Sequence, residues 1–357
     1  MKPLTVCRDC RVRYVPNIRL LHKSYDQGPL LLRNPTRYSE DIDPTGEFDI
    51  NTSNKAFFRM LTRVSEDAKL LIPTHGGLIS SVIFAFRYTH DSIHTLVRPN
   101  KKTERPWRSI VDALSLSREQ VEKALLLGLF SSDPDKWCSA YMSHASMKKL
   151  RDHWRAEEST KRLGRFQEQL PKAKVILDTI MDQLELTPDQ RKALKAKAES
   201  GKVPAELRND YVEFPTGNKI LEEIKSGDLR DSLSYLHDEF FDPLSGYVHC
   251  GFQKILGYQI QHAMPSLEER MRANYIERHT TEAFIVSYLS GALACFEIAC
   301  MMPSATESNE RVTEFWNMIM PMSLRTKAVW KMYAGKHLEL KARANSNMVS
   351  ESHPVIK

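Results

Sequence analysis

Residues 228 to 253, D-L-R-D-S-L-S-Y-L-H-D-E-F-F-D-P-L-S-G-Y-V-H-C-G-F-Q, concentrate side chains that can hold an anion or move a proton. Arg230 precedes His237 by seven residues. On a helix that step is nearly two turns, so guanidinium and imidazole share a face roughly 10 Å apart. Such a pair suits an RNA phosphate gripped by the arginine and a 2'-hydroxyl approached by the histidine. Asp242-Pro243 then reads as a helix N-cap followed by proline at the first helical position, a break after which a second helix starts. That helix brings Ser245 and His249 onto one face, four residues apart.

An earlier apolar segment, G-G-L-I-S-S-V-I-F-A-F-R-Y-T-H-D-S-I-H, carries Arg87 and Asp91 one helical turn apart. A buried arginine there needs a counter-charge, which Asp91 can supply. Arg87, Asp91, Ser245 and His249 could therefore meet across two facing helices. Two uses of that quartet stay open. One is a structural clamp that fixes helix register; the other is anion binding or catalysis. The seven-residue arginine-to-histidine step also recurs at Arg87 and His94, with Tyr88 after the arginine.

The order Arg230, Asp231, then His237 resembles the signature of HEPN-type helical proteins: arginine, a polar residue, three to five more, then histidine. The match covers eight residues. It implies a helical bundle, metal-independent RNA cleavage without a cofactor, and action as a homodimer, in a toxin or phage-defence setting. Leu244-Ser245-Gly246-Tyr247-Val248-His249 is similar to the end of a family of uncharacterised bacterial helical proteins. There an aromatic-rich helix leads into leucine-serine, three residues and histidine. An early apolar helix of that family carries arginine followed four residues later by glutamate. Arg87 with Asp91 takes that place here, with a shorter acid. Trp137 and Trp154 are compatible with the family. This second resemblance spans roughly residues 70–300 and brings no activity with it.

Other residues bear on partners. The run 148–174 holds nine Lys/Arg against four acids, with Trp154 and Phe166 interleaved. Lys148, Lys149, Arg151, Arg155, Lys161, Arg162 and Arg165 could track a nucleic-acid backbone; a solvated helix face explains the same charges. The net charge of +6 permits an anionic partner without requiring one. Cys7 and Cys10 form one C-x-x-C, but zinc needs two more ligands. His22 is the nearest and no fourth lies close by, with Cys138 or His144 as tertiary candidates, so the pair reads as unligated thiols. Six unevenly spaced cysteines suit a reduced, cytoplasmic setting. No P-loop, dinucleotide glycine fingerprint, G-x-S-x-G or H-E-x-x-H occurs.

The elements that must position these groups are helical. The pattern predicts an all-α multi-helix bundle with an irregular N-terminal arm and a disordered C-terminal tail. Residues 1–65 read as the arm with a short helix from about Asn54 to Val64. Residues 66–302 read as the bundle, 303–340 as a helix pair interrupted near Pro321, and 341–357 as the tail. Start signals are explicit: Ser117 with Gln120, Asp133-Pro134, Thr187-Pro188 with Gln190, and Ser266 with Glu269. The last opens a helix whose apolar half, Ala283 to Met302, is long enough to cross a membrane. Glu297 and the amphipathic start favour a buried bundle helix, with no membrane partner. A rival to RNA chemistry is a non-catalytic interaction or scaffold module whose protein partner the residues do not name.

Overall fold

A computed structural model of the chain describes residues 5–6, 13–14, 50–97, 110–163, 175, 182, 187–200, 202, 205, 212–248, 252–258, 269–323 and 326–331. Strands β1 (Thr5–Val6) and β2 (Arg13–Tyr14) pair antiparallel, Thr5 opposite Tyr14. Apart from this two-residue pairing, the regular structure of the described residues is helical, and the fold is all-α. The chain divides into two compact units, residues 1–131 with 224–357, and residues 132–223.

In the first unit, α1 (Ile50–Leu71) and α2 (Gly76–Val97) form a helical hairpin. Phe57, Met60, Leu61, Val64 and Ala68 recur at three- and four-residue steps and are buried, as are Ile79, Val82, Ile83, Phe86, Ile93 and Val97. The turn between them is tight. Thr74 takes φ 62, and a Cβ at Gly76 would collide with the carbonyl oxygen of Ala68. The expected short helix at 54–64 is thus the middle of a 22-residue one. The domain boundary drawn at residue 65 falls inside it.

Helix α3 (Ile110–Ser132) starts seven residues before the predicted cap at Ser117. Ser117 lies inside the helix and is fully buried, and its hydroxyl donates to the Ala113 carbonyl oxygen at 2.9 Å. A serine that turns its hydroxyl back one turn satisfies itself without capping. In the second unit, α4 (Pro134–Leu163), α5 (Pro188–Ser200) and α6 (Lys219–Glu223) follow, with α4 packed on α5. Here the start signals operate as read. Lys136 N–H donates to Asp133 Oδ1 at 3.2 Å. Thr187 and Gln190 cap each other reciprocally, at 2.9 and 3.2 Å.

The chain returns to the first unit with α7 (Gly227–Leu236), a π-helical turn (His237–Phe241), α8 (Asp242–Val248) and α9 (Phe252–Tyr258). Helix α10 (Glu269–Cys300) and α11 (Thr306–Ile319) pack on each other and on α1. A 3-10 turn, Met320–Met322, ends α11 at Pro321, and residues 326–331 are helical again. One helix among the described residues, Tyr275–Cys300, is apolar and long enough to cross a membrane, and 94% of its apolar window is buried inside the protein. Gly291 lets it pass close to α1: a Cβ there would come within 2.5 Å of the Phe57 ring.

Candidate functional site

The predicted break at Asp242-Pro243 does not exist. Asp242 has helical angles, φ −63 and ψ −50, and its N–H reaches the His237 carbonyl oxygen, five residues back. The chain runs through 227–248 as one helix with a π-turn inserted. Proline explains the location. Pro243 has no N–H, and in a regular helix its ring would strike the carbonyl four residues back. A wider turn just before it relieves both problems.

This helix lies antiparallel along α3. Gly128 of α3 faces Leu229 and Leu233, where an added Cβ would lie 2.5 Å from Leu233 Cδ1. Further down, Arg118 Nε donates to Ser245 Oγ at 2.9 Å, and Ser115 Oγ donates to the Tyr247 carbonyl oxygen at 3.0 Å. Arg118 is the centre of the contact. Its Nη1 donates to Glu122 Oε1 at 2.8 Å, and its guanidinium carbon lies 4.1 Å from the Phe241 ring centroid. The side chain keeps only 14% exposure. Ser245 in turn donates to the Phe241 carbonyl oxygen at 2.8 Å.

The arginine that meets Ser245 is therefore Arg118, and its acid is Glu122. The expected quartet of Arg87, Asp91, Ser245 and His249 is not what the described residues form. Arg87 is exposed; it donates to Thr62 Oγ1 at 3.4 Å and sits 5.7 Å from the Phe58 ring. Needing no buried counter-charge, it does not recruit Asp91, which is exposed. The legible signal was R-E-Q-V-E at 118–122, an arginine with glutamate four residues on, hidden behind the reading of Ser117 as a cap.

Arg230 and His237 are also split. Arg230 is 49% exposed, with Asp231 Oδ1 4.0 Å away. His237 is 3% exposed, its ring stacked on Phe241 at 4.8 Å. Its Nδ1 lies 3.3 Å from Asp238 Oδ1, and its Nε2 lies 3.9 Å from Asp242 Oδ1, beyond hydrogen-bond reach. Between residues 227 and 242 five acids stand against one arginine.

A second polar cluster lies wholly in the core. His90 occupies an α2 position in phase with Phe86 and Ile93, and it is fully buried. Its Nδ1 lies 2.8 Å from Ser287 Oγ and its Nε2 lies 2.8 Å from Asn54 Oδ1. Gln120 Nε2 donates to Ser287 Oγ at 2.9 Å, and Tyr288 OH donates to Asn54 Oδ1. One assignment gives each group a role: Ser287 donates to Nδ1, and Nε2–H donates to Asn54. Serine, histidine and amide in series are the parts of a nucleophile-base-orienter set. Here Ser287 and His90 both have zero exposure. Burial, with His94 second, pushes the imidazole from 6.5 down to about 3, too weak a base for that work. The five members, Asn54, His90, Gln120, Ser287 and Tyr288, tie α1, α2, α3 and α10 together. A buried pair on α10, His279 Nδ1 and Glu282 Oε2 at 2.9 Å, likewise escaped the sequence reading.

Lys148 is exposed on α4, and Lys149, Arg151, Arg155, Lys161 and Arg162 are carried by the same helix. His249, Arg165, Cys7, Cys10 and the predicted tail 341–357 lie outside the described residues. Among those described, no three His, Cys, Asp or Glu residues group as a metal site. No family model, curated protein or solved structure matches the chain.

Proposed function

We propose that this protein is a non-catalytic helical interaction or scaffold module, in which the polar residues that look like an active site hold helices in register. The observation that carries this reading is the occupation of Arg118. Ser245 takes its Nε, Glu122 takes an Nη, and Phe241 lies against its guanidinium. A cation already neutralised at 2.8 Å has little charge left for a phosphate. The Arg230–His237 pair supports the same conclusion. Its imidazole is buried, and its helix carries an excess of carboxylates that repels a polyanion.

RNA cleavage without metal, as a dimer of toxin or phage-defence type, is the second reading. A π-turn beside Arg118, Ser245 and His237 favours it, because such turns recur at functional sites. An assay separates the two. Purified protein is incubated with single-stranded and structured RNA, with and without EDTA. The scaffold reading expects no cleavage in either condition. Chelator-resistant cleavage lost in Arg118→Ala, His237→Ala or His249→Ala, with helicity intact, would replace it by the nuclease. In the scaffold reading Arg118→Ala lowers stability instead.

A further inference from the structure

We infer that the π-turn at His237–Phe241 is a register device locked by Pro243: one extra residue that turns Phe241 and Ser245 onto Arg118. Without the lock, a second, regular helical register becomes available in which they turn away. The inference does not depend on whether the protein cleaves RNA.

Both flanks of the turn are pinned to the same neighbour. Upstream, Leu229 and Leu233 sit at Gly128 of α3. Downstream, Ser245 sits at Arg118 and Tyr247 at Ser115. A regular helix has one phase throughout, and each residue advances it by about 100°. The stretch between the two anchors holds one residue more than that phase allows. The Asp242-to-His237 hydrogen bond, five residues long, is where the surplus is absorbed. If the turn relaxed to regular helix, α8 would rotate by about 100° against α3. Ser245 and Phe241 would then leave the guanidinium. Pro243 opposes that change, because a proline inside a regular helix loses a hydrogen bond and meets the carbonyl of residue 239.

The test is a cross of two changes in the full chain. The first is Pro243→Ala. The second is deletion of Asp238, an exposed residue of the turn. In the natural background Pro243→Ala leaves the Tm unchanged or lowers it, and speeds amide exchange from 237 to 248. In the deletion background the surplus residue is gone and the helix is regular, so the same substitution raises the Tm. The deletion with Pro243→Ala also folds and keeps the energetic coupling between Arg118→Ala and Ser245→Ala. A Pro243→Ala effect of the same sign in both backgrounds would overturn the inference. So would unchanged exchange, or a deletion variant that fails to fold once alanine stands at 243.

Discussion

Acid should weaken this protein through His90, and the amount follows from its burial. The imidazole is fully enclosed and held neutral, with its pKa pushed from 6.5 to about 3 by desolvation and, second, by His94. The unfolded chain binds a proton at His90 below pH 6.5, while the native state does not do so until near pH 3. Stability from this group is therefore complete above pH 6.5 and is lost as pH falls toward 3. Each unit within that window costs up to about 1.4 kcal/mol. Between pH 7.5 and 5 the loss integrates to about 2 kcal/mol. Urea unfolding midpoints at half-unit steps across that range measure it. Carboxylates contribute a background slope, so the comparison is with His90→Gln, whose side chain does not titrate. The variant is less stable at pH 7.5, because Ser287 and Asn54 lose a shared partner, but its stability curve is flatter by that same amount. Parallel curves for the two proteins would refute the assignment of a neutral, buried His90.

Three further outcomes follow from local geometry. Gly291→Ala drives a methyl into the buried Phe57 ring and lowers stability by about 1–3 kcal/mol, whereas Gly77→Ala, with open space around it, raises stability by up to about 1 kcal/mol; thermal melts of both decide. Asp67 accepts a hydrogen bond from Arg63 Nε, forms an ion pair with the same guanidinium, and accepts a hydrogen bond from Ser308 at 2.7 Å, joining α1 to α11, so Ser308→Ala costs about 1–2 kcal/mol in chemical denaturation. Burial raises the Cys138 thiol to about 12 and the Cys295 thiol higher still; alkylation at pH 8 leaves both unmodified until the protein is unfolded.

How much of this was legible in the residues depends on the range of the interaction. The all-α class came from three- and four-residue apolar spacing, which each helix carries within itself. The caps at Asp133 and Thr187 were read correctly because a cap closes within three residues. Ser117 fooled the same rule, since a serine inside a helix can satisfy its hydroxyl on its own backbone. Pro243 fooled the break rule, because a π-turn admits proline without ending the helix. The partner of Ser245 was misread for a different reason. Arg87 and Arg118 both sit on helices with acids four residues on, and only packing shows that one faces solvent and the other faces Ser245. His90 was invisible because a histidine in a core position looks like any gap in an apolar stripe until Asn54, Gln120 and Ser287 arrive from three other helices.

In the scaffold we propose, Arg118 and Ser245 work as a structural clamp. A double-mutant cycle tests it most directly: unfolding free energies of Arg118→Ala, Ser245→Ala and the double variant at pH 7. The 2.9 Å bond from a largely enclosed guanidinium predicts a coupling of about 1 kcal/mol or more, with both singles destabilised. The same cycle on Arg87→Ala and Ser245→Ala should show additivity. Zero coupling between Arg118 and Ser245, or coupling that appears with Arg87 instead, would show that no such clamp exists.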